Sequence, residues 1–243
     1  MNNETLFIET QNLSQNNNDT DKPKKRTKII NNLNKFYNNN LIEVGVDEAG
    51  RGPLFGRVYS AACILPNDDT FNHSLMKDSK KFSSKRLILQ AYEYIKNNCI
   101  SYGVGFVEHD EIDIINIRQA TFQAMHYAIN NLNKIPQHIL VDGNAFRQFT
   151  LFKDNKITII PHTCIEDGDN KYTSIAAASI IAKVERDKYI EEMCETYPYL
   201  NEKWDILNCK GYGTKKHLSG IEQYGISPWH RRTFGICKKF SVN

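Results

Sequence analysis

The chain has 243 residues, enough to bury a sizeable core in one large domain or two small ones. Its 31 Lys/Arg and 28 Asp/Glu give a net charge of +3. Residues 1–40 hold six basic and four acidic side chains, which leaves the rest at only +1 and excludes a globally basic protein; any basic surface must be local. No apolar run approaches the ~18 residues of a membrane span, and the polar N-terminus is not a signal peptide. The six cysteines include no CxxC pair, which argues against a zinc site or disulfide framework and for a reducing, cytoplasmic setting.

Residues 1–38 are rich in Asn, Gln, Asp and Lys without apolar periodicity, and are predicted to be a disordered tail. Within it PKKRTK (Pro23–Lys28) reads either as a nuclear-import signal or as a solvated charge cluster. One domain follows over residues 39–243. LIEVGVD alternates as a half-buried strand and VYSAACIL (Val58–Leu65) as a second. SSKRLILQAYEYIKNN predicts a helix capped by Ser83 or Ser84, with Leu87, Ala91 and Ile95 inward. SYGVGFV (Ser101–Val107) predicts a third strand, and Ile115, Phe122, Met125, Ile129 and Leu132 recur at helical spacing. HILVDG and KITIIPH (Lys156–His162) predict two more strands, and SIAAASIIAKVERDKYIEEM a closely packed helix. This order predicts a mixed α/β sheet with helices on it.

The stretch VGVDEAGRGPLFG places two adjacent acids, Asp47 and Glu48, at a strand end before a glycine-rich turn. Adjacent carboxylates repel and are costly to desolvate. Asp142 ends another strand before Gly143, and Asp169 lies in EDGDN before the Ala-rich helix. Strand-end acids without partner cations in sequence fit a hard divalent ion such as magnesium, and a pair of such ions suits phosphodiester hydrolysis. Pattern alone equally admits helix caps or turn residues; Asp78, before Ser79-Lys80-Lys81, reads as a cap.

GVDEAGRGPLFGRVYSAACIL, KDSKKFSSKR, LVDGN, SIAAASIIAKVERD, GYGTKKH and SPWHRRTFG occur in one order over about 200 residues, Ile42 to Gly235. Together they resemble ribonuclease HII, the type 2 ribonuclease H family, in its bacterial form. The resemblance implies a ribonuclease H-like fold, with a mixed five-stranded sheet and a helical C-terminal part. It implies cleavage of RNA/DNA hybrids, and of duplex DNA 5′ of single embedded ribonucleotides, leaving a 3′-hydroxyl and a 5′-phosphate. Such an activity would serve ribonucleotide removal and primer processing. The resemblance places the metal ligands at Asp47, Glu48, Asp142 and Asp169, for two Mg2+ or Mn2+ ions. Gly50, Arg51 and Gly52 would read the ribose, consistent with the 2′-hydroxyl being what separates RNA from DNA. Tyr212 would stack on the following deoxyribose.

Lys80, Lys81, Lys215 and Lys216 would contact phosphates, with His217 holding their loop. Arg231 and Arg232 are open between structural and nucleic-acid roles. Glu185 and Asp187 are expected on an outer helix face, away from the metals. Asp167 stands where many members carry lysine. The tail is shorter and more polar than the substrate-binding domain of ribonuclease HIII, and no long C-terminal extension follows HRRTFG, so a monomer is expected. Two other classes compete: a binding protein of this fold without catalysis, and a resolvase-like metal nuclease, which should lack GRG and GYGTKKH.

Overall fold

Two central strands, β1 (Glu43–Ala49) and β4 (His138–Asp142), run parallel in register Val44↔Ile139 and Val46↔Val141. In the computed structural model, which describes residues 33–153 and 155–240, β2 (Val58–Ile64) pairs antiparallel with β1, and β3 (Ser101–Val107) antiparallel with β2. The last strand, β7 (His162–Ile165), pairs parallel with β4 and completes the order β3-β2-β1-β4-β7. The expected mixed five-stranded sheet is therefore present.

The fifth strand is not where the sequence pattern puts it. Phe149–Lys153 (β5) and Lys156–Ile160 (β6) form a separate hairpin, and β7 begins after Pro161. Proline has no N–H to give a ladder, so it separates the two strands. Ile157 and Ile159 are exposed accordingly.

Helix α1 (Lys85–Asn98) starts at Ser84, whose hydroxyl accepts from Leu87 N, and buries Ala91, Tyr92 and Ile95. The helical spacing after residue 108 is split into α2 (His109–Ile115) and α3 (Ile117–Asn130) by Asn116 at φ +67°. The Asn116 side chain accepts from Arg118 N and Gln119 N, so it ends one helix and caps the next. α4 (Thr173–Thr196) is buried on nearly every side through its first three turns, as its unbroken run of small and aliphatic residues dictates.

α4 covers one face of β1 and β2 while α3 covers the other, which is why β2 is buried throughout. A Cβ on Gly45 would lie 2.2 Å from the Ser174 backbone, so glycine is what lets α4 approach β1. α5 (Tyr199–Trp204), α6 (Ile206–Cys209) and α7 (Lys215–Tyr224) follow, with Leu200, Trp204, Ile206 and Ile221 sharing a second apolar cluster.

Most of the expected tail lies outside the described residues, as does PKKRTK. Residues 33–38, assigned to the tail from composition, are instead attached to the domain. Asn34 N donates to Lys171 O at 2.8 Å, Thr173 N donates to Asn34 O at 3.0 Å, and Leu33 packs on the core. The amides of Tyr37 and Asn38 donate to the Glu43 carboxylate.

Candidate active site

Neighbouring side chains on a regular strand face opposite ways, and β1 stays regular through Ala49. Asp47 accordingly faces α4, beside Ser179, whereas Glu48 borders cavities on both faces of the sheet. Parallel pairing brings Asp142 alongside. Asp169 arrives on a short 3-10 turn, Gly168–Asn170, after β7. All four carboxylates line one open cavity of about 470 Å³.

Each acid is individually tethered. Asp47 Oδ1 accepts from Glu48 N at 2.6 Å, and Ser60 Oγ donates to Asp47 O at 2.7 Å. Glu48 Oε1 accepts from Arg51 Nη1 at 3.0 Å. Asp142 Oδ1 accepts from Gly168 N at 2.7 Å, which locks the Asp169 turn to the end of β4. Asn170 Nδ2 donates to Asp169 Oδ1 at 3.1 Å.

Burial, then the charges of Glu48 and Asp142, push the Asp47 carboxyl well above its ordinary range. Burial also raises Glu48, opposed by Arg51 and reinforced by Asp142. Asp169 is pushed up to about 6 by burial, then by Asp78 and Asp142. These acids repel one another in a partly dry cleft, the situation that a cation would relieve.

Among the described residues, no three His, Cys, Asp or Glu side chains form a ready-made metal cluster. Glu48 is drawn to Arg51 and Asp142 to Gly168. The donor set nevertheless fits the expected ions, because it offers only carboxylate oxygens, which hard divalent cations prefer.

The other wall is the Gly50-Arg51-Gly52 turn. Gly50 has φ +95°, and a Cβ there would meet Arg186 Nε at 2.2 Å, so the position requires glycine. Arg231 is fully buried and donates to four carbonyls of this segment: Gly50 O (2.7 Å), Arg51 O (3.1 Å), Pro53 O (2.9 Å) and Gly56 O (2.8 Å). The sequence left Arg231 open; its role is structural. Arg186, buried on α4, donates to Lys210 O at 2.9 Å and lies 6.0 Å from the Tyr212 ring.

Tyr212 is half exposed and lines the cavity near Gly52. Its carbonyl accepts from His217 Nδ1–H at 2.9 Å, so His217 does hold this loop. Lys80 also lines the cavity. Lys81, Lys215 and Lys216 do not line it; Lys81 Nζ is hydrogen-bonded to Asn170 Oδ1, and the other two are exposed on the first turn of α7. Asp167 does not line the cavity; it is exposed and accepts from Asn170 Nδ2 at 2.8 Å, the same amide that donates to Asp169.

The sequence missed several lining groups. Ser79, Ser179, Lys183 and Arg186 border the cavity, and Asp78 is more than a cap: it accepts from Lys80 N and also faces Asp169. Lys183 is paired with Asp187 at 2.6 Å, which brings that acid nearer the site than expected. An arginine within the largely buried stretch of α4 was the available signal for Arg186.

A family profile described as ribonuclease HII matches residues 44–237. The chain is 47% identical over 209 residues to a ribonuclease HII of Bacteroides thetaiotaomicron, covering 86% of this chain and 96% of that one. It is 44% identical over 203 residues to a ribonuclease HII of Porphyromonas gingivalis, covering 83% and 93%. Among solved structures, ribonuclease H2 of Pyrococcus horikoshii OT3 superposes with a TM-score of 0.64 at 25% identity, covering 82% of this chain and 96% of that one.

Proposed function

The chain belongs to the ribonuclease HII family, and on that premise we propose that its cleft cuts duplex DNA 5′ of a ribonucleotide, leaving a 3′-hydroxyl and a 5′-phosphate. Membership makes it a ribonuclease H hydrolase acting on the RNA strand of RNA/DNA hybrids, in a family that depends on divalent metal. Cleavage at a single embedded ribonucleotide is the finer reading. One observation carries it: four carboxylates and the Gly50-Arg51-Gly52 turn face the same cavity.

Asp47, Glu48, Asp142 and Asp169 are the groups that would hold Mg2+ or Mn2+. Bound there, such ions supply an activated water and stabilise the leaving oxygen. The remaining work falls to the chain. Arg231 holds the turn by its carbonyls, fixing the backbone whose N–H groups approach the 2′-hydroxyl. Arg51 holds Glu48 in place. Tyr212 presents its ring to the next deoxyribose, and Lys80 offers positive charge to a phosphate across the cavity.

In this hydrolysis the water oxygen bonds to phosphorus while the bond to the upstream 3′-oxygen breaks. The 2′-hydroxyl lies on the other side of its own nucleotide and takes no part as nucleophile. It serves only as the feature recognised. Lys81, Lys215 and Lys216 would meet phosphates outside the cavity, and the enzyme would act as a cytoplasmic monomer. Among the described residues, no helix is long and apolar enough to cross a membrane.

The test is a labelled duplex with one ribonucleotide, run beside an all-DNA duplex and a long hybrid, with magnesium, manganese or chelator. Metal-dependent cutting 5′ of the ribonucleotide, with all-DNA intact, supports the reading. Cutting of hybrids alone would contradict the single-ribonucleotide part.

A further inference from the structure

Two more cavities continue from the carboxylates, on the face of the sheet away from α4. The first, about 380 Å³, shares Glu48, Arg51 and Asp142 with the catalytic cleft and is also lined by Arg118, Phe122 and Asn144. The second, about 410 Å³, shares Phe122 with the first and extends past Gln119 and His126 to Arg147. The catalytic cleft adjoins the first cavity through three lining residues and the first adjoins the second through Phe122, so the three follow one another from the ends of β1 and β4 along α3.

The loop after β4 is packed against α3 beside these cavities. Phe146, from the loop after β4, packs edge-on against His126 at 5.3 Å and against Phe122 at 6.5 Å. His126 Nε2–H donates to Arg147 O at 2.8 Å, fastening that loop to α3. Arg118 and Arg147 are both exposed, and among the described residues neither is in a salt bridge. The Arg118 guanidinium lies 5.7 Å from the Phe122 ring. Glu111 accepts from Gln123 Nε2 at 2.6 Å.

Guanidinium groups without carboxylate partners are suited to phosphate oxygens. α3 has 14 residues, a length of about 20 Å, which matches the rise of about six base pairs. Tyr212 stands on the opposite, α4 side of the carboxylates, next to Arg186. If its ring takes the nucleotide after the ribonucleotide, a strand crossing the carboxylates leaves toward α3 on its 5′ side.

We infer that α3 and the loop at 143–148 form a phosphate-binding trough for the nucleic-acid arm 5′ of the ribonucleotide, with Arg118 and Arg147 as its contacts. The assignment to the 5′ arm rests on the function proposed above. Neither arginine is part of the carboxylate centre, so this site sets affinity and placement, not chemistry.

The experiment measures binding of the full-length protein by fluorescence anisotropy in chelator, across a salt series. The probes are a one-ribonucleotide duplex with a long 5′ arm, one with that arm truncated, and one with the 3′ arm truncated. Arg118→Ala/Arg147→Ala should lower affinity for both probes that keep the 5′ arm and reduce the salt slope by about 0.9 per lost contact. It should match wild type on the probe lacking that arm. Arg118→Lys/Arg147→Lys should restore most of the slope.

An unchanged slope, or the same loss whichever arm is present, overturns the trough. Circular dichroism of each variant establishes that it is folded, and wild-type cleavage of the long-arm probe with magnesium is measured in parallel. Wild type that fails to cleave while the arginines still govern 5′-arm binding would sink the ribonuclease reading and leave the trough standing.

Discussion

His217 and His230 meet through their Nε2 atoms at 2.9 Å, both fully buried. The contacts around them fix both tautomers. His217 Nδ1–H must donate to Tyr212 O, so its Nε2 accepts from His230 Nε2–H. His230 Nδ1 is then the acceptor for Ser227 N at 2.9 Å. A chain of neutral groups thus runs from Ser227 to the backbone of Tyr212.

This pair predicts an acid-sensitive fold. Burial, then His217, lowers His230 from 6.5 to about 3, and burial also lowers His217. The unfolded chain therefore binds more protons, and the stabilisation is full above pH ~6.5 and lost as pH falls toward 3. Urea unfolding from pH 7 to pH 4 should show a smaller stability loss for His230→Gln than for wild type. Equal losses would mean that the pair does not carry the effect.

Arg231 should tolerate no replacement. Alanine leaves four carbonyls without their donor, at about 1–3 kcal/mol for each that stays dry. Lysine keeps the charge but lacks the fork needed to reach all four. Urea unfolding should show a loss of at least about 3 kcal/mol for Arg231→Ala. A loss under about 1 kcal/mol would assign the turn's shape to its own glycines.

Removing the repulsion at the carboxylates should stabilise the metal-free protein. In chelator at pH 8, Asp47→Asn removes a buried carboxyl whose ionisation is opposed by burial, Glu48 and Asp142. Scanning fluorimetry should show a Tm rise of about 2–4 °C for each ~1 kcal/mol gained, with the magnesium-induced rise reduced. A lower Tm in chelator together with a full magnesium response would remove Asp47 from the site.

Tyr212 separates junction recognition from folding, because its side chain is half exposed. Tyr212→Ala should weaken cleavage at a single ribonucleotide by about 10-fold, the rate equivalent of ~1.4 kcal/mol of lost ring contact with the sugar, and Tyr212→Phe should stay close to wild type. Long hybrids should lose less. Equal losses on both substrates would contradict a role at the junction.

The sheet was legible because its signals are local: alternation marked β1, and short apolar runs marked β2, β3 and β4. Acids after such runs drew attention to Asp47, Glu48 and Asp142, but pattern alone left them open as caps or turn residues, and only the family resemblance grouped them with Asp169, with which they line one cavity. The hairpin was not legible, since KITII has the composition of a core strand and only Pro161 betrays the break. Residues 33–38 were misassigned because backbone hydrogen bonds, which composition does not report, attach them. The turn's support by Arg231 spans about 180 residues of sequence separation, and no motif spacing encodes such a contact. The motif that marked Lys215 and Lys216 as phosphate contacts carries no information on where they stand relative to the cavity, and α7 holds them outside its lining.

The most direct test is the cleavage rate of Asp142→Asn on the one-ribonucleotide duplex at saturating magnesium, with folding verified by thermal unfolding. A loss of roughly 10³-fold in a protein of wild-type fold is expected if this carboxylate joins Asp47, Glu48 and Asp169 in the hydrolytic centre. Near-wild-type cleavage would contradict the account, because it would place the chemistry away from the ends of β1 and β4.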